Sequence, residues 1–231
     1  MKIAVLTLTR DRLDYTKHCF AKLEEFAGCE YDHYVLDQGS TDGTAEWLFD
    51  EWLRGDGLRF AERRFENIGI PRGMNFLLGE VKKHEGRFQL YDVIVKFDND
   101  CELTQPNTLR DVCKLALEGG ALLSPRILGL NNPPPVTREL RIGDEIIQDI
   151  HQIGGIFLAA PAWVYDEFRY SENAPVWGGD DVEICHWFRK QGGTCGYVKR
   201  LEAWHYEGTS GQHERYPSYF ARTLAEGKPT L

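Results

Sequence analysis

The sequence predicts an α/β fold in which a mostly parallel central sheet is covered by helices on both faces. Short apolar runs rich in β-branched residues alternate with segments of helical spacing, and only short connections separate them. In addition, 42% of the 231 residues are hydrophobic, which is enough for the full core of one domain. In such a sheet, ligands bind outside the carboxyl ends of the strands.

Three strands and three helices are predicted in the first part of the chain. Apolar, β-branched runs predict the strands, over Lys2–Leu8, Tyr31–Leu36 and Leu58–Ala61. Apolar residues that recur on one face predict the helices, over Asp14–Phe26, Thr44–Trp52 and from Pro71 to about Val81. Pro71 suits the first turn of its helix, because the N–H that proline lacks has no partner there in any case.

The later elements follow from the same patterns. They are a buried strand over Tyr91–Phe97, a helix over Pro106–Leu117, a strand over Ala121–Ser124, a helix from Asp180 to about Lys190 and a short strand at about Thr194–Val198. Three consecutive prolines in Asn131–Pro135 mark the one internal seam. We therefore expect a single domain over 1–231 with two halves, 1–125 and 126–231.

Composition restricts the function classes. There are 27 Lys and Arg against 36 Asp and Glu, and the formal net charge of −9 argues against general affinity for nucleic acid or anionic membranes. No stretch has the length of a transmembrane span, and the N-terminus lacks the apolar core of a signal peptide. The six cysteines form no C-x-x-C pair, which favours reduced thiols in the core. These features predict a cytoplasmic protein, which would have to dock peripherally on a membrane if its acceptor is linked to a polyprenyl lipid.

The segment Asp98-Asn99-Asp100 directly follows the buried strand over Tyr91–Phe97. If the extended backbone continues, the carboxylates of Asp98 and Asp100 face the same side. Two such carboxylates at the carboxyl end of a central strand suit a hard divalent cation that also holds a diphosphate. The alternative is a solvated acidic turn.

Other polar segments fall at the same edge of the predicted sheet. Asp37–Thr44 follows the second strand, and its glycines permit a tight turn before the next helix. Arg72 lies at the start of the third helix, where an anion would be favoured. Neither a G-x-G-x-x-G motif nor a P-loop lysine motif is present, which argues against a dinucleotide oxidoreductase and against an NTPase.

Taken together, these segments resemble the family 2 glycosyltransferases of the GT-A fold, a Rossmann-like fold that binds nucleotide-diphospho-sugars. Six segments carry the resemblance over nearly the whole chain: Thr7-Leu8-Thr9-Arg10, Asp37–Thr44, Asn67-x-Gly69 with Asn75, Asp98-Asn99-Asp100, the strand and helix at Gly154–Leu158 and Val164–Phe168, and Trp177–Cys185. The last segment departs from the family's G-E-D-x-D-L pattern, since Asp180 stands where glutamate is common and Glu183 where aspartate is common.

The resemblance implies a site for a nucleotide-sugar donor and for Mn²⁺ or Mg²⁺. The residues expected to contact the donor are Thr7, Leu8, Thr9, Arg10, Asp37, Gly69, Arg72, Asn75, Asp98 and Asn99. The metal ligands expected are Asp100, His205 and Asp98, with Asp100 binding directly and Asp98 lying nearer the ribose or the sugar. A mixed set of nitrogen and oxygen ligands suits manganese better than magnesium.

The acceptor hydroxyl needs a general base, and the helix start at Asp180-Asp181-Val182-Glu183 offers one. Asp180 at the N-cap with Glu183 three residues later predicts a capping box, which leaves Asp181 as the base. A base that only removes a proton implies single displacement and inversion at the anomeric carbon. The alternative is that all three acids merely cap the helix.

The function predicted is that of a metal-dependent inverting glycosyltransferase that moves a sugar, from a UDP-sugar by family frequency, to an acceptor hydroxyl. Two alternatives remain: a non-catalytic nucleotide-sugar-binding module, and the same transferase acting on a modified nucleic-acid base. The class of acceptor is otherwise open. Four tryptophans in the second half could stack on an acceptor or pack in the core: Trp163, Trp177, Trp187 and Trp204.

Overall fold

The computed structural model describes residues 1–55, 57–85, 90–173 and 179–227. Trp177 and Gly178, the first two residues of the segment Trp177–Cys185, lie outside these residues. Along the first half, the elements are β1 (Ile3–Thr9), α1 (Leu13–Phe26), β2 (Asp32–Gln38), α2 (Thr44–Arg54), β3 (Leu58–Arg64), α3 (Ile70–Glu85), β4 (Val93–Phe97), β5 (Cys101–Leu103) and α4 (Thr108–Gly119). The helices and the four longer strands confirm the alternation predicted for this half, and their bounds differ from the predicted ones by a few residues.

The second half contains more strands than the sequence patterns predict. Its elements are β6 (Leu122–Leu128), β7 (Val136–Ile142), β8 (Glu145–Ile150), β9 (Phe157–Pro161), α5 (Val164–Glu167), α6 (Asp180–Lys190), β10 (Cys195–His205), α7 (Gly208–Arg215) and α8 (Pro217–Gly227). The hairpin β7–β8 was not predicted, because β7 is mostly exposed and charged and so lacks a buried apolar run. β10 is much longer than the predicted strand, and this length brings His205 to the sheet edge that carries the site.

All strands described belong to one sheet, in the order β3-β2-β1-β4-β9-β6-β10-β8-β7, with β5 paired to β10. The four strands β3, β2, β1 and β4 are parallel, which confirms the predicted parallel core. β9 runs antiparallel to both β4 and β6, so the second half is mixed. The carboxyl ends of β1, β2 and β4 therefore meet at one edge.

Helices cover both faces of the sheet, as predicted. Side chains alternate along β1, so Leu6 packs in a core with Met74 of α3, while Val5 packs in a second core with Leu23 of α1 and Val112 of α4. All five of these side chains are fully buried. This two-sided burial holds the central strands in place beneath the polar residues at their carboxyl ends.

The backbone at Asp98-Asn99-Asp100 is not extended. β4 ends at Phe97, and the amide of Cys101 donates to the carbonyl oxygen of Asp98 at 3.0 Å, which closes a turn between β4 and β5. The condition under which the two carboxylates would face the same side, a strand that continues through this segment, is therefore not met. The two carboxylates face different partners, and their separation follows from the turn and not from strand periodicity.

Among the residues that the structure describes, every helix is too short or too polar to cross a membrane.

His33 of β2 provides a test of the core between β1 and α1. Its Nε2 lies 2.9 Å from the hydroxyl of Thr7, and burial lowers the pKa of the imidazole to about 3. The folded protein keeps His33 neutral at pH 5, whereas the unfolded chain protonates it below about pH 6.5. Stability is therefore lost as the pH falls through 6.5, because the unfolded state binds the proton.

We expect His33 to account for a loss of about 2 kcal/mol in unfolding free energy between pH 7 and pH 5. Urea unfolding at both pH values would show this loss in the wild type and its removal in His33→Gln. His151, which is exposed, provides the matched control His151→Gln. An equal pH dependence in the wild type and His33→Gln would contradict the neutral, buried state of His33.

Candidate active site

A polar cavity opens at the edge where the carboxyl ends of the parallel strands meet. It is lined by Leu8, Thr9, Arg10, Arg12, Gln38, Asn67, Ile70, Asp98, Asn99, Asp100 and Tyr219. Five of the residues expected to contact a donor, namely Leu8, Thr9, Arg10, Asp98 and Asn99, thus lie together. Tyr219 belongs to α8, so the C-terminal helix forms one wall of the cavity.

Asp100 lies between two basic side chains. Its Oδ2 accepts a hydrogen bond from a guanidinium N–H of Arg12 at 3.0 Å and lies 3.4 Å from Nε2 of His205. The antiparallel pairing of β10 with β5 places His205 opposite Cys101, the residue after Asp100. Burial alone would raise the pKa of Asp100, but Arg12 and His205 together lower it well below its usual range. Asp100 is therefore an ionised carboxylate beside a histidine.

This pair can hold a divalent cation. Two ligand atoms at about 2.1 Å from one ion and at right angles to each other lie about 3 Å apart, close to the separation of Asp100 and His205. The described residues contain no group of three or more His, Cys, Asp or Glu that could hold a metal ion by themselves. An ion bound here therefore needs further oxygens from a ligand, and phosphates of a substrate commonly supply them. The residues present fit a metal ion that binds together with a diphosphate.

Arg12 is a site residue that the sequence analysis missed. Its side chain is buried and donates to Asn99 Oδ1 at 3.1 Å and to Gln212 Oε1 of α7 at 2.9 Å. Its guanidinium carbon lies 4.6 Å from the ring centroid of Tyr219. Arg12 has a φ of 60° and Asp11 a φ of 50°, the strained left-handed conformation for residues with a side chain. The turn after β1 thus adopts an unfavourable backbone that places a cation against Asp100.

Lys96 is the second cation that the sequence analysis missed. Its side chain is only 3% exposed, and its ammonium donates to Asp98 Oδ1 at 2.8 Å and to the carbonyl oxygen of Gly155. Burial raises the pKa of Asp98 to about 6, with a further rise from Asp100, while Lys96 opposes the rise. A lysine within an otherwise apolar buried strand was the signal in the sequence, since lysine is almost never buried without a partner.

The acidic helix start differs from the predicted capping box. Gly179, with a φ of 87°, is the N-cap of α6, so the N-cap residue has no side chain that could cap the helix. Asp180 is buried, with its Oδ2 3.5 Å from Lys96 Nζ. Glu183 accepts instead from the backbone amide of Ser171, at 3.0 and 3.1 Å from its two oxygens. The capping prediction for Asp180 and Glu183 is therefore wrong.

Asp181 is the more accessible acid of the pair. It is half-buried, and its Oδ2 accepts from the side-chain amide of Gln152 at 3.0 Å while its Oδ1 accepts from the amide of Val182 at 2.9 Å. Gln152 fixes the direction of the carboxylate. The side chain of Asp180 turns toward Lys96, whereas that of Asp181 turns toward Gln152.

Asp37 ends β2 as a buried carboxylate. Its Oδ1 accepts from the hydroxyls of Thr9, at 3.2 Å, and of Ser40, and its Oδ2 accepts from the Ser40 amide at 3.0 Å. Burial raises its pKa, and these hydrogen bonds oppose the rise. Asp37 therefore ties the turns after β1 and β2 together, and its contact with a nucleotide stays a prediction.

Three other residues that were predicted to contact the nucleotide sugar, namely Thr7, Arg72 and Asn75, form hydrogen bonds within the protein. The hydroxyl of Thr7 is bonded to His33 on β2. Arg72 donates to the carbonyl oxygen of Glu172 at 2.9 Å, and Asn75 bonds the backbone of Tyr170 through both ends of its amide. Arg72 and Asn75 thus hold α3 to the segment after α5. The positive φ of Gly69, 87°, shapes the turn that precedes α3.

The described tryptophans of the second half divide between surface and core. Trp163 and Trp204 are 47% and 37% exposed. Trp187 packs against the rings of Phe168 and Phe188. The exposed pair could stack on an acceptor, and Trp187 serves packing.

No family model and no curated protein sequence matches the chain. Solved structures do match. GalNAc-T7 with UDP, GalNAc and Mn²⁺ aligns with a TM-score of 0.71 at 14% identity, over 91% of this chain and 45% of that one. The mannosyltransferase PcManGT from Pyrobaculum calidifontis in complex with GDP-Man and Mn²⁺ aligns with a TM-score of 0.68 at 15% identity, over 98% of this chain and 65% of that one.

A third structure agrees with these two. Residues 1–349 of TarS from S. aureus in complex with UDP-GlcNAc align with a TM-score of 0.66 at 13% identity, over 88% of this chain and 58% of that one. The chain thus spans between about half and two thirds of the length of these solved chains. The strand order and these alignments lead to one conclusion: the chain has the GT-A fold.

Proposed function

We propose that the protein is a metal-dependent inverting glycosyltransferase that moves a sugar from a nucleotide diphosphate sugar, with UDP as the nucleotide, to an acceptor hydroxyl. The observation that carries the proposal is the 3.4 Å approach of Asp100 and His205 at the cavity edge. The solved structures that share the fold support it, because they are complexes with UDP, GDP-Man or UDP-GlcNAc and two of them also contain Mn²⁺.

On the donor side, Asp100 and His205 would hold Mn²⁺ or Mg²⁺. The bound ion neutralises charge on the leaving diphosphate as a Lewis acid. Arg12 keeps Asp100 ionised and orients its Oδ2, as the outer partners of metal ligands commonly do. Asp98, whose Oδ1 accepts from Lys96, keeps its other oxygen for the ribose or the sugar.

On the acceptor side, Asp181 is the general base. Its half-buried carboxylate is reachable by an acceptor, and its position in the first turn of α6 places it next to the acid pair's contact with Lys96. As the acceptor oxygen attacks the anomeric carbon, its proton passes to Asp181 and the bond to the diphosphate breaks. The displacement is single, so the configuration inverts.

The most direct test of the proposal is release of nucleotide from UDP-GlcNAc, UDP-GalNAc and GDP-Man, with Mn²⁺, with Mg²⁺ and with EDTA. We expect turnover with at least one donor and its loss in EDTA. Binding of UDP with Mn²⁺ without turnover of any donor, also after addition of glycan, peptide and nucleic-acid acceptors, would instead identify a non-catalytic nucleotide-sugar-binding module.

The metal site is tested by Asp100→Asn. We expect it to remove both turnover and the metal-dependent part of UDP binding, because the diphosphate loses its bridge to the protein. Isothermal titration with UDP in the presence of Mn²⁺ or EDTA measures the second effect. The matched control is Glu102→Gln. Glu102 lies in β5, two residues after Asp100, and its carboxylate is 3.1 Å from Nε2 of His18. Metal-dependent binding that survives in Asp100→Asn would overturn this assignment.

The donor pocket is tested by Asp37→Asn. An interaction with the base or ribose is the same in the ground state and the transition state, so its loss raises KM for the donor more than it lowers kcat. Steady-state kinetics with varied donor concentration measures both constants. A collapse of kcat at an unchanged KM would contradict this role of Asp37.

The base is tested by Asp181→Asn, which keeps the size of the side chain and removes its basicity. We expect kcat to fall by about 10²–10⁴-fold, the usual contribution of a general base. Binding of UDP with Mn²⁺ should be retained. The control is Glu183→Gln in the first turn of the same helix. The Glu183 carboxylate accepts from the backbone amide of Ser171 and is not proposed to take a proton from the acceptor. Near-normal kcat in Asp181→Asn would show that the acid is structural.

A further inference from the structure

Lys96 lies where the two halves of the site meet. It is on β4, the strand that leads into the Asp98–Asp100 turn, and its side chain points to the face of the sheet that α6 covers, like that of Ile94 two residues earlier. Ile94 is an ordinary core residue, so the position of Lys96 is one that an apolar side chain could fill.

The ammonium of Lys96 contacts three different segments. It donates to Asp98 of the turn at 2.8 Å and to the carbonyl of Gly155 in the loop before β9, and it lies 3.5 Å from Asp180 at the start of α6. The contact with Asp180 is an ion pair and not a hydrogen bond, since the buried Asp180 Oδ2 accepts no hydrogen bond from the residues that the structure describes. Two carboxylates, those of Asp98 and Asp180, thus lie within ion-pair distance of the one ammonium group.

The space around this cation is filled on all sides. A Cβ added to Gly155 would lie 3.2 Å from Lys96 Nζ, 3.4 Å from Asp181 Cβ and 3.6 Å from Asp180 Oδ2. Both acids of α6 are therefore packed around the same glycine as the ammonium.

We propose that Lys96 is a positioning residue, which joins the donor-side carboxylate of Asp98 to the acceptor-side acids of α6 and so places the base Asp181 relative to the donor. The inference rests on the proposed function. Lys96 does not touch substrate; it holds the first turn of α6 against the turn that carries Asp98, and its charge offsets the charges of Asp98 and Asp180.

A contribution to the stability of the fold does not by itself explain why Lys96 is buried among carboxylates. Replacing a buried ion pair by apolar residues of similar volume is often neutral or stabilising, so a core of this kind does not need a lysine at this position. A displacement of about 1 Å at a catalytic group can lower a rate by about 10²-fold. Holding Asp181 in place therefore has an effect on the rate that is large enough to explain why a cation is buried at this position.

The primary test is Lys96→Met, which keeps the length of the side chain and removes its charge. We expect the Kd for UDP with Mn²⁺ to stay within about threefold of the wild type, while kcat for nucleotide release falls about 10²-fold. The control Lys114→Met removes a lysine of α4 that is 66% exposed and should change neither value. Near-UV circular dichroism shows whether the fold is retained, and Lys96→Arg, which keeps the charge, should recover part of kcat.

A double-mutant cycle separates positioning from general destabilisation. If Lys96 acts by placing Asp181, then Lys96→Met should lower kcat by less than about threefold once Asp181→Asn is present, because no base remains to be placed. Equal losses in both backgrounds would overturn the proposal, as would a Lys96→Met enzyme with near-normal kcat.

Gly155→Ala is a second test of the proposal. It changes no charge, and it can be used if Lys96→Met does not fold. Its methyl group meets Lys96 Nζ and should lower kcat about tenfold with little change in UDP binding. Gly79→Ala is the matched control, because a Cβ there meets nothing within 4 Å. Unchanged kcat in Gly155→Ala would contradict the proposal. The proposed function fails separately, if the wild type itself releases no nucleotide from any donor.

Discussion

The site depends on the charge compensation of two carboxylates, the half-buried Asp98 and the buried Asp100. Asp98 and Asp100 lie in one tight turn at the carboxyl end of β4, and each is paired with its own buried cation, Lys96 for Asp98 and Arg12 for Asp100. Isolated buried carboxylates would take up protons. Arg12 and His205 keep Asp100 ionised, which is the state that a metal ligand needs. The two cations are therefore as much part of the site as the acids.

Each cation also reaches a second region of the chain. Arg12 connects the turn to the C-terminal helices, through Gln212 of α7 and the ring of Tyr219 of α8. Lys96 connects it to the start of α6. The Asp98–Asp100 turn therefore links the polar cavity, the C-terminal helices and the acid pair of α6, although these segments are far apart in sequence.

Sequence patterns predicted what depends on local periodicity. The strand before Asp98, the turn after β2 and the helix that begins at Asp180 were all expected close to their actual places. The patterns failed where distant segments decide the structure. Nothing local reveals that β9 runs antiparallel between β4 and β6, or that β10 extends to His205 by pairing with β5 and β6. Arg12 and Lys96 were missed because their partners in space are up to 200 positions away. Only the presence of lysine in a buried strand pointed to one of them.

The central claim is that Asp100 and His205 hold a divalent cation together with the diphosphate of a nucleotide. A crystal structure of the protein with UDP and Mn²⁺, with the manganese located by its anomalous scattering, tests this claim most directly. We expect the ion at about 2.1–2.3 Å from an oxygen of Asp100 and from Nε2 of His205, with phosphate oxygens completing its coordination. A diphosphate bound by Arg12 without any manganese between it and Asp100, or manganese bound at another part of the surface, would contradict the account.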